Sequence, residues 1–155
     1  MARDSRCGKP PCRVCFGHSR WRQTLSLSTE DQLAIQQLYA RYNHAIDSGQ
    51  GDAWAATFTP EGVFSSASGT FAGSAQLAGF GSGFAKQLKA RHWTNNLLVD
   101  ADGSGAKGSC YLILLRLTPG ERPPAGIMAT AIYNDELVKV DGDWRFSKRT
   151  VTTDA

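Results

Sequence analysis

The chain has 155 residues, of which 41% are hydrophobic and 20% charged, the size and composition of one globular domain with a single core. Its longest apolar run, near Cys110–Leu115, is far too short to span a bilayer. No N-terminal stretch carries the apolar centre of a secretory signal, so a cytoplasmic location with no membrane partner is expected.

The net charge of +3 is unevenly spread. Residues 1–24 hold six Lys or Arg against one acid, Asp4, a net +5, whereas the rest holds 11 basic and 13 acidic side chains, a net −2. A body near neutrality offers no electrostatic reason for a nucleic-acid partner. The basic segment also carries "CGKPPCRVCFGH", in which Cys7, Cys12, Cys15 and His18 read as four soft ligands for zinc. The spacing matches no zinc-finger pattern, and Pro10, Pro11 and the arginines suit a disordered extension better. Residues 1–27 are therefore expected to be a leader and 28–155 the domain, with no metal and no cofactor in the body.

Ser28 or Thr29 opens the first helix, with Glu30 and Asp31 in the turn where the helix dipole favours acids. Leu33, Ile35, Leu38, Tyr42 and Ile46 recur at helical spacing, and Gly49 and Gly51 end the run. "DAWAATF" is a short second helix with Trp54, Ala55 and Phe58 inward, "TPEGVFSS" a turn leading into a strand, and "SGTFAG" the next strand. A third helix starts at Ser74 as cap and carries Leu77, Phe80, Phe84 and Leu88, though Gly79, Gly81 and Gly83 weaken it. From Arg91 onward "RHWTNNLLVDADG", "GSCYLILLRLTP", "GIMATAIYNDELVKVDG" and "DWRFSKRTVTT" read as strands joined by hairpin turns, with "TPGERPPAG" as a Pro/Gly-rich loop. Helices followed by antiparallel strands make an α+β domain with helices on one face of a curved sheet. Cys110, in an apolar strand, reads as a buried small hydrophobe.

Three segments carry a family likeness: "YARYNHAIDSGQGDAWAATFTPEGVF", "RHWTNN" and "YNDELVKVDGDWRFSKRTV". In order and spacing they resemble the SnoaL-like branch of the NTF2-like superfamily, over Ser28 to about Thr152. The resemblance implies a cone-shaped NTF2-like (cystatin-like) roll, a mixed or antiparallel sheet wrapped round the long N-terminal helix. That fold hosts dehydratases, isomerases, cyclases, epoxide hydrolases and non-catalytic binders. It also implies a homodimer or homotrimer, with another subunit covering the outer sheet face and the apolar residues of "CYLILLRL" and "GIMATAIY".

The chemistry is expected at Asp47 and His92. By strand period, His92, Thr94, Asn96 and Leu98 share a face, a polar row suited to a pocket lining. An Asp on one nitrogen of an imidazole holds its tautomer and raises its basicity, so the pair can remove a proton beside a carbonyl and return it to a leaving hydroxyl. In the dehydratases that the chain resembles, a Tyr five residues before the Asp assists; here that is Tyr42, whose phenol would stabilise an enolate oxygen. Asn96, Arg149, Trp54 and Tyr133 are expected to line the substrate site, with Arg145, sharing a face with Arg149 and Ser147, as a second source of positive charge.

Plainer readings stand beside these. Asp47 caps the "SGQGD" turn, His92 is a satisfied core histidine, Tyr42 packs with Leu38 and Ile46, and Arg149 pairs with Asp135 to fix the hairpin. The expected function is a cofactor-free lyase or isomerase of the dehydratase kind, acting on an apolar carbonyl compound such as a polyketide, steroid or terpenoid. The alternative is a non-catalytic module that binds ligands or oligomerises.

Overall fold

The computed structural model describes residues 26–118, 120 and 126–154; the cysteine-rich leader falls outside them, as does most of the "TPGERPPAG" loop. Helix α1 spans Thr29–Asp47. Ser28 is its N-cap, accepting from the Asp31 N–H at 3.0 Å, a contact worth about 1 kcal/mol relative to alanine. Its buried face is Ile35, Leu38, Tyr39, Tyr42, Ala45 and Ile46, which corrects the stripe read from sequence at two points. Leu33 is 57% exposed, because two residues are about 200° round a helix and it lies on the far side from Ile35. Tyr39 takes a core position instead.

The chain continues through α2 (Gly51–Ala55), β1 (Phe58–Ser66), β2 (Gly69–Ala72), α3 (Ser74–Gln87), β3 (Ala90–Asp102), β4 (Gly105–Arg116), β5 (Ile127–Val140) and β6 (Asp143–Thr153). Two local expectations change. The "TPEGVFSS" turn lies inside β1, as an irregularity between the pairings Phe58 with Phe146 and Val63 with Lys148. The N-cap of α3 is Gly73 at φ +79°, not Ser74. Gly51 lets α2 cross α3, since a Cβ there would meet the Ser82 Oγ at 2.1 Å and the Ala78 carbonyl at 2.2 Å.

The strands form one open sheet in the order β2-β1-β6-β5-β4-β3. Every neighbouring pair is antiparallel except β1 and β6, which run parallel. Flat, such a sheet would hold β2 and β3 roughly 24 Å apart, five strand spacings. Instead a chain of rings crosses from one edge to the other. Phe71 of β2 meets Phe80 at 4.6 Å, Phe80 meets Phe84 at 6.2 Å, and Phe84 meets His92 of β3 at 5.4 Å. Phe80 and Phe84 are one turn apart on α3, so the sheet is curled and α3 bridges its edges. Within the curl, Tyr42 touches Trp54, Phe58, Tyr133 and Phe146 at ring distances of 5.3–6.1 Å.

Two β-bulges set which side chains enter the curl. On β3, Asn95 pairs with Tyr111 and Leu98 with Ser109, so Asn96 and Leu97 together oppose a single residue of β4. Asn96 sits there at φ +53°, a left-handed conformation that asparagine tolerates better than most residues. On β6, Phe146 pairs with Leu137 and Lys148 with Glu136, leaving Ser147 as the extra residue. An extra residue reverses the in–out alternation beyond it.

Candidate active site

Asp47 is the last residue of α1. The chain then turns through Ser48 and Gly49 (φ +68°), where a Cβ would stand 2.9 Å from that of Ala85. Asp47 does not cap this turn. Its hydrogen bonds go across to β3: Oδ1 lies 2.6 Å from His92 Nδ1, and the two carboxylate oxygens accept the His92 backbone N–H at 3.2 and 3.3 Å. Arg91 adds a guanidinium 3.8 Å from Oδ2. The carboxylate is thus tied to both the backbone and the ring of one residue, which fixes the imidazole in place. Side-chain exposure is 3% for Asp47 and 7% for His92.

Because Asp47 accepts at Nδ1, the neutral ring carries its proton there and presents Nε2 as a lone pair. Nε2 has no hydrogen-bond partner among the described residues and is not sealed from the solvent. Both side chains line a cleft of about 500 Å³ between α1 and β3. Asn43, one turn before Asp47, lines the same cleft and donates from Nδ2 to the Thr94 hydroxyl oxygen at 2.8 Å; its Oδ1 is buried without a partner. Asn43 was missed in the sequence, although its i, i+4 spacing to Asp47 places the two on one helix face.

The expected meeting of Tyr42, Asp47, His92 and Asn96 in one pocket is corrected. Asp47 and His92 meet. Asn96 is exposed on the β3 bulge, and Leu97 rather than Asn96 lines the cleft. Tyr42 is 2% exposed in the core and absent from the cleft wall, where Tyr39 stands instead. Burial pushes the Tyr42 phenol up to about 12 against the opposing charge of Arg149, so it is protonated at neutral pH.

Tyr42, Trp54, Tyr133 and Arg149 do come together, but inside the core. The Arg149 guanidinium lies 4.1–4.7 Å from the rings of Tyr39, Tyr42, Tyr133 and Phe146. It pairs bidentately with Asp135, 2.7 Å on each arm, and both side chains are fully buried. The Tyr39 hydroxyl donates to the second Asp135 oxygen. Gly108, opposite Asp135 in the sheet, leaves room for that hydroxyl, since a Cβ there would stand 2.4 Å from it. Arg149 Nη1 and Trp54 Nε1 remain without partners. Arg145 does not share the Arg149 face, because the β6 bulge lies between them. Cys110 is buried, and burial raises its thiol to about 12, too high for a nucleophile at neutral pH.

Residues 28–150 match the family model described as the SnoaL-like domain. The chain belongs to the SnoaL-like family, within the NTF2-like superfamily. Rv3472 of Mycobacterium tuberculosis, a protein of unknown function solved as an Asp-to-Asn variant, is 31% identical over 81% of this chain and 72% of its own, with a TM-score of 0.75. A Nostoc punctiforme protein of unknown function with a cystatin-like fold is 22% identical, covering 84% of this chain and 96% of its own, at TM-score 0.74. A proposed scytalone dehydratase from Novosphingobium aromaticivorans is 23% identical, covering 81% and 85%, at TM-score 0.69. Among curated proteins no match is found. Like these relatives, this SnoaL-like domain has the cystatin-like roll. No described helix is long and apolar enough to cross a membrane.

Proposed function

We propose that this SnoaL-like domain is a lyase or isomerase in which His92, oriented by Asp47, is the acid–base residue. The observation that carries the reading is the 2.6 Å contact from Asp47 to His92 Nδ1 beside a cleft, with Nε2 left free of protein partners. The proposed scytalone dehydratase among the structural neighbours has chemistry of the same class in its name. The reaction begins when Nε2 takes the proton on the carbon beside a carbonyl, and the C–H electron pair moves to the carbonyl oxygen as an enolate. Asp47 stabilises the imidazolium that results. In a dehydration the enolate electrons then re-form the carbonyl and a conjugated double bond. The β-hydroxyl leaves, taking the proton from His92 to become water. In an isomerisation the same proton returns to the γ-carbon. In this reading Thr94 meets the enolate oxygen; its oxygen accepts from Asn43, which leaves its own proton to donate.

The substrate class is an apolar carbonyl compound such as a polyketide, steroid or terpenoid, handled without a cofactor. The same reading takes the protein as a homodimer or homotrimer that covers the outer face of β3 and β4, where Trp93 is 60% and Tyr111 52% exposed.

A panel of β-hydroxy ketones and β,γ-unsaturated ketones in D₂O tests the chemistry, with α-deuteration and enone formation followed by NMR. The wild-type protein should exchange the α-proton of at least one panel member, and His92→Ala, still folded by circular dichroism, should not. Full exchange by folded His92→Ala would remove His92 as the base. Binding without exchange across the panel would favour the non-catalytic module.

A further inference from the structure

On the opposite flank of α1 from the Asp47–His92 cleft lies a second groove, of about 470 Å³. Arg41 and His44, one turn apart on α1, form one wall, and Arg145 of β6 forms the other. Gln50 and Thr57 border it, and Asp143 is the single carboxylate in its lining. Thr57 is already engaged, donating to the Trp54 carbonyl at 2.6 Å.

Arg145 is the anomaly. Of the four cations on β5 and β6, Lys139, Lys148 and Arg149 each have a carboxylate within 4.0 Å. Arg145 has none among the described residues, although Asp143 is two positions away. Its Nε is buried with no hydrogen-bond partner, and among the described residues its one hydrogen bond is a long 3.5 Å bond from Nη1 to the Ala56 carbonyl. Arg41 has no ion pair among the described residues either. A buried donor without a partner is rare in folded proteins. Arg41, His44 and Arg145 bring two guanidinium groups and an imidazole to one groove that holds a single carboxylate. The domain around them is net acidic, so this concentration of positive charge is local.

We propose that the groove is an oxyanion site, taking the carboxylate or phosphate group of a small molecule between Arg41 and Arg145. Guanidinium forks match the planar oxygen pair of either group, and neither Arg41 nor Arg145 has a carboxylate partner among the described residues. His44 lines both this groove and the Asp47–His92 cleft, so the two sites share a wall. The inference does not depend on the reaction at His92.

The test follows the side-chain Nε–H resonance of Arg145 by NMR while inorganic phosphate or acetate is added, against sodium chloride at matched ionic strength. A saturable shift with phosphate, with acetate or with both supports the site and identifies the anion it prefers. Arg41→Gln, on the exposed side of α1, should weaken the response about tenfold, the loss of one charge-assisted contact. Arg145→Lys should replace the guanidinium fork by a single ammonium and weaken phosphate or acetate binding, read then from the shifts of His44. No shift beyond that of sodium chloride would overturn the proposal, as would a response unchanged in Arg41→Gln.

Discussion

Asp135 with Arg149 and Asp47 with His92 each join a carboxylate to a basic side chain on another element, and what surrounds the two pairs differs. Asp135 and Arg149 are fully buried, bonded bidentately and enclosed by four aromatic rings. Asp47 and His92 form an equally short contact, but at the edge of the sheet, and one ring nitrogen is left without a protein partner. In the first pair the charges are satisfied by each other and by Tyr39, so the arrangement organises the core. In the second, one acceptor remains to exchange a proton with a ligand. Access of solvent and substrate, rather than the identity of the charges, separates a structural pair from a candidate catalytic one.

Breaking the sealed pair should have the largest effect. Arg149→Leu leaves Asp135 as an uncompensated buried charge and should lower stability by about 3–5 kcal/mol in urea unfolding. The double variant Asp135→Leu/Arg149→Leu should recover much of that loss; a double variant as unstable as the single one would mean that the ring cage needs the guanidinium itself. At the open pair the effect should fall on rate. His92→Ala should lower α-proton exchange by about 10²–10⁴-fold with the fold kept. Asp47→Asn still accepts from Nδ1 but no longer stabilises the imidazolium, and a tenfold to hundredfold loss, roughly, is expected.

Tyr42→Phe sharpens the comparison further, since Tyr42 lies beside the sealed pair and was expected at the open one. It should leave exchange unchanged and stability within about 1 kcal/mol. A loss of rate as large as that of His92→Ala would return Tyr42 to the reaction. The smallest effect concerns α1's anchor. Asp31 accepts from Lys139 at 2.7 Å and from the Trp144 indole at 2.8 Å, and these bonds lower its carboxyl to about 2 from an ordinary 3.8. A depressed folded value means that the contribution is complete above about pH 4 and is lost as pH falls toward 2. Asp31→Asn should flatten the acid limb of the stability profile over that interval and leave its neutral part sloping as before. Light scattering adds a separate check on the exposed β3–β4 face: a dimer or trimer is expected, and a monomer at micromolar concentration would contradict it.

The elements and their order were legible in the sequence because they rest on local physics. Ser28 as a cap, the 3.6-residue recurrence through Ile46 and the hairpin turns act over a few residues. The family likeness added the curl of the sheet and pointed to Asp47 and His92, the latter also by the polar row that it forms with Thr94 in the strand period. Asn96, Arg145 and Tyr42 were misplaced for reasons that no short window of sequence contains. Period-two reasoning put Asn96 with His92 and Arg145 with Arg149, and a single extra residue on each strand, at Asn96–Leu97 and at Ser147, reversed the alternation. A bulge is settled by the register that a neighbouring strand imposes, so the sequence of one strand does not announce it. Tyr42 has the spacing of a pocket residue and of a core residue alike. Packing against Trp54, Phe58, Tyr133 and Phe146 chose the core, because four rings and a buried guanidinium enclose that position. By itself, then, the sequence determined the elements and their order, and it singled out Asp47 and His92 as candidates at the ends of α1 and β3. Only tertiary contact decided which polar groups were sealed and which faced a cleft, since burial is a property of what packs against a residue.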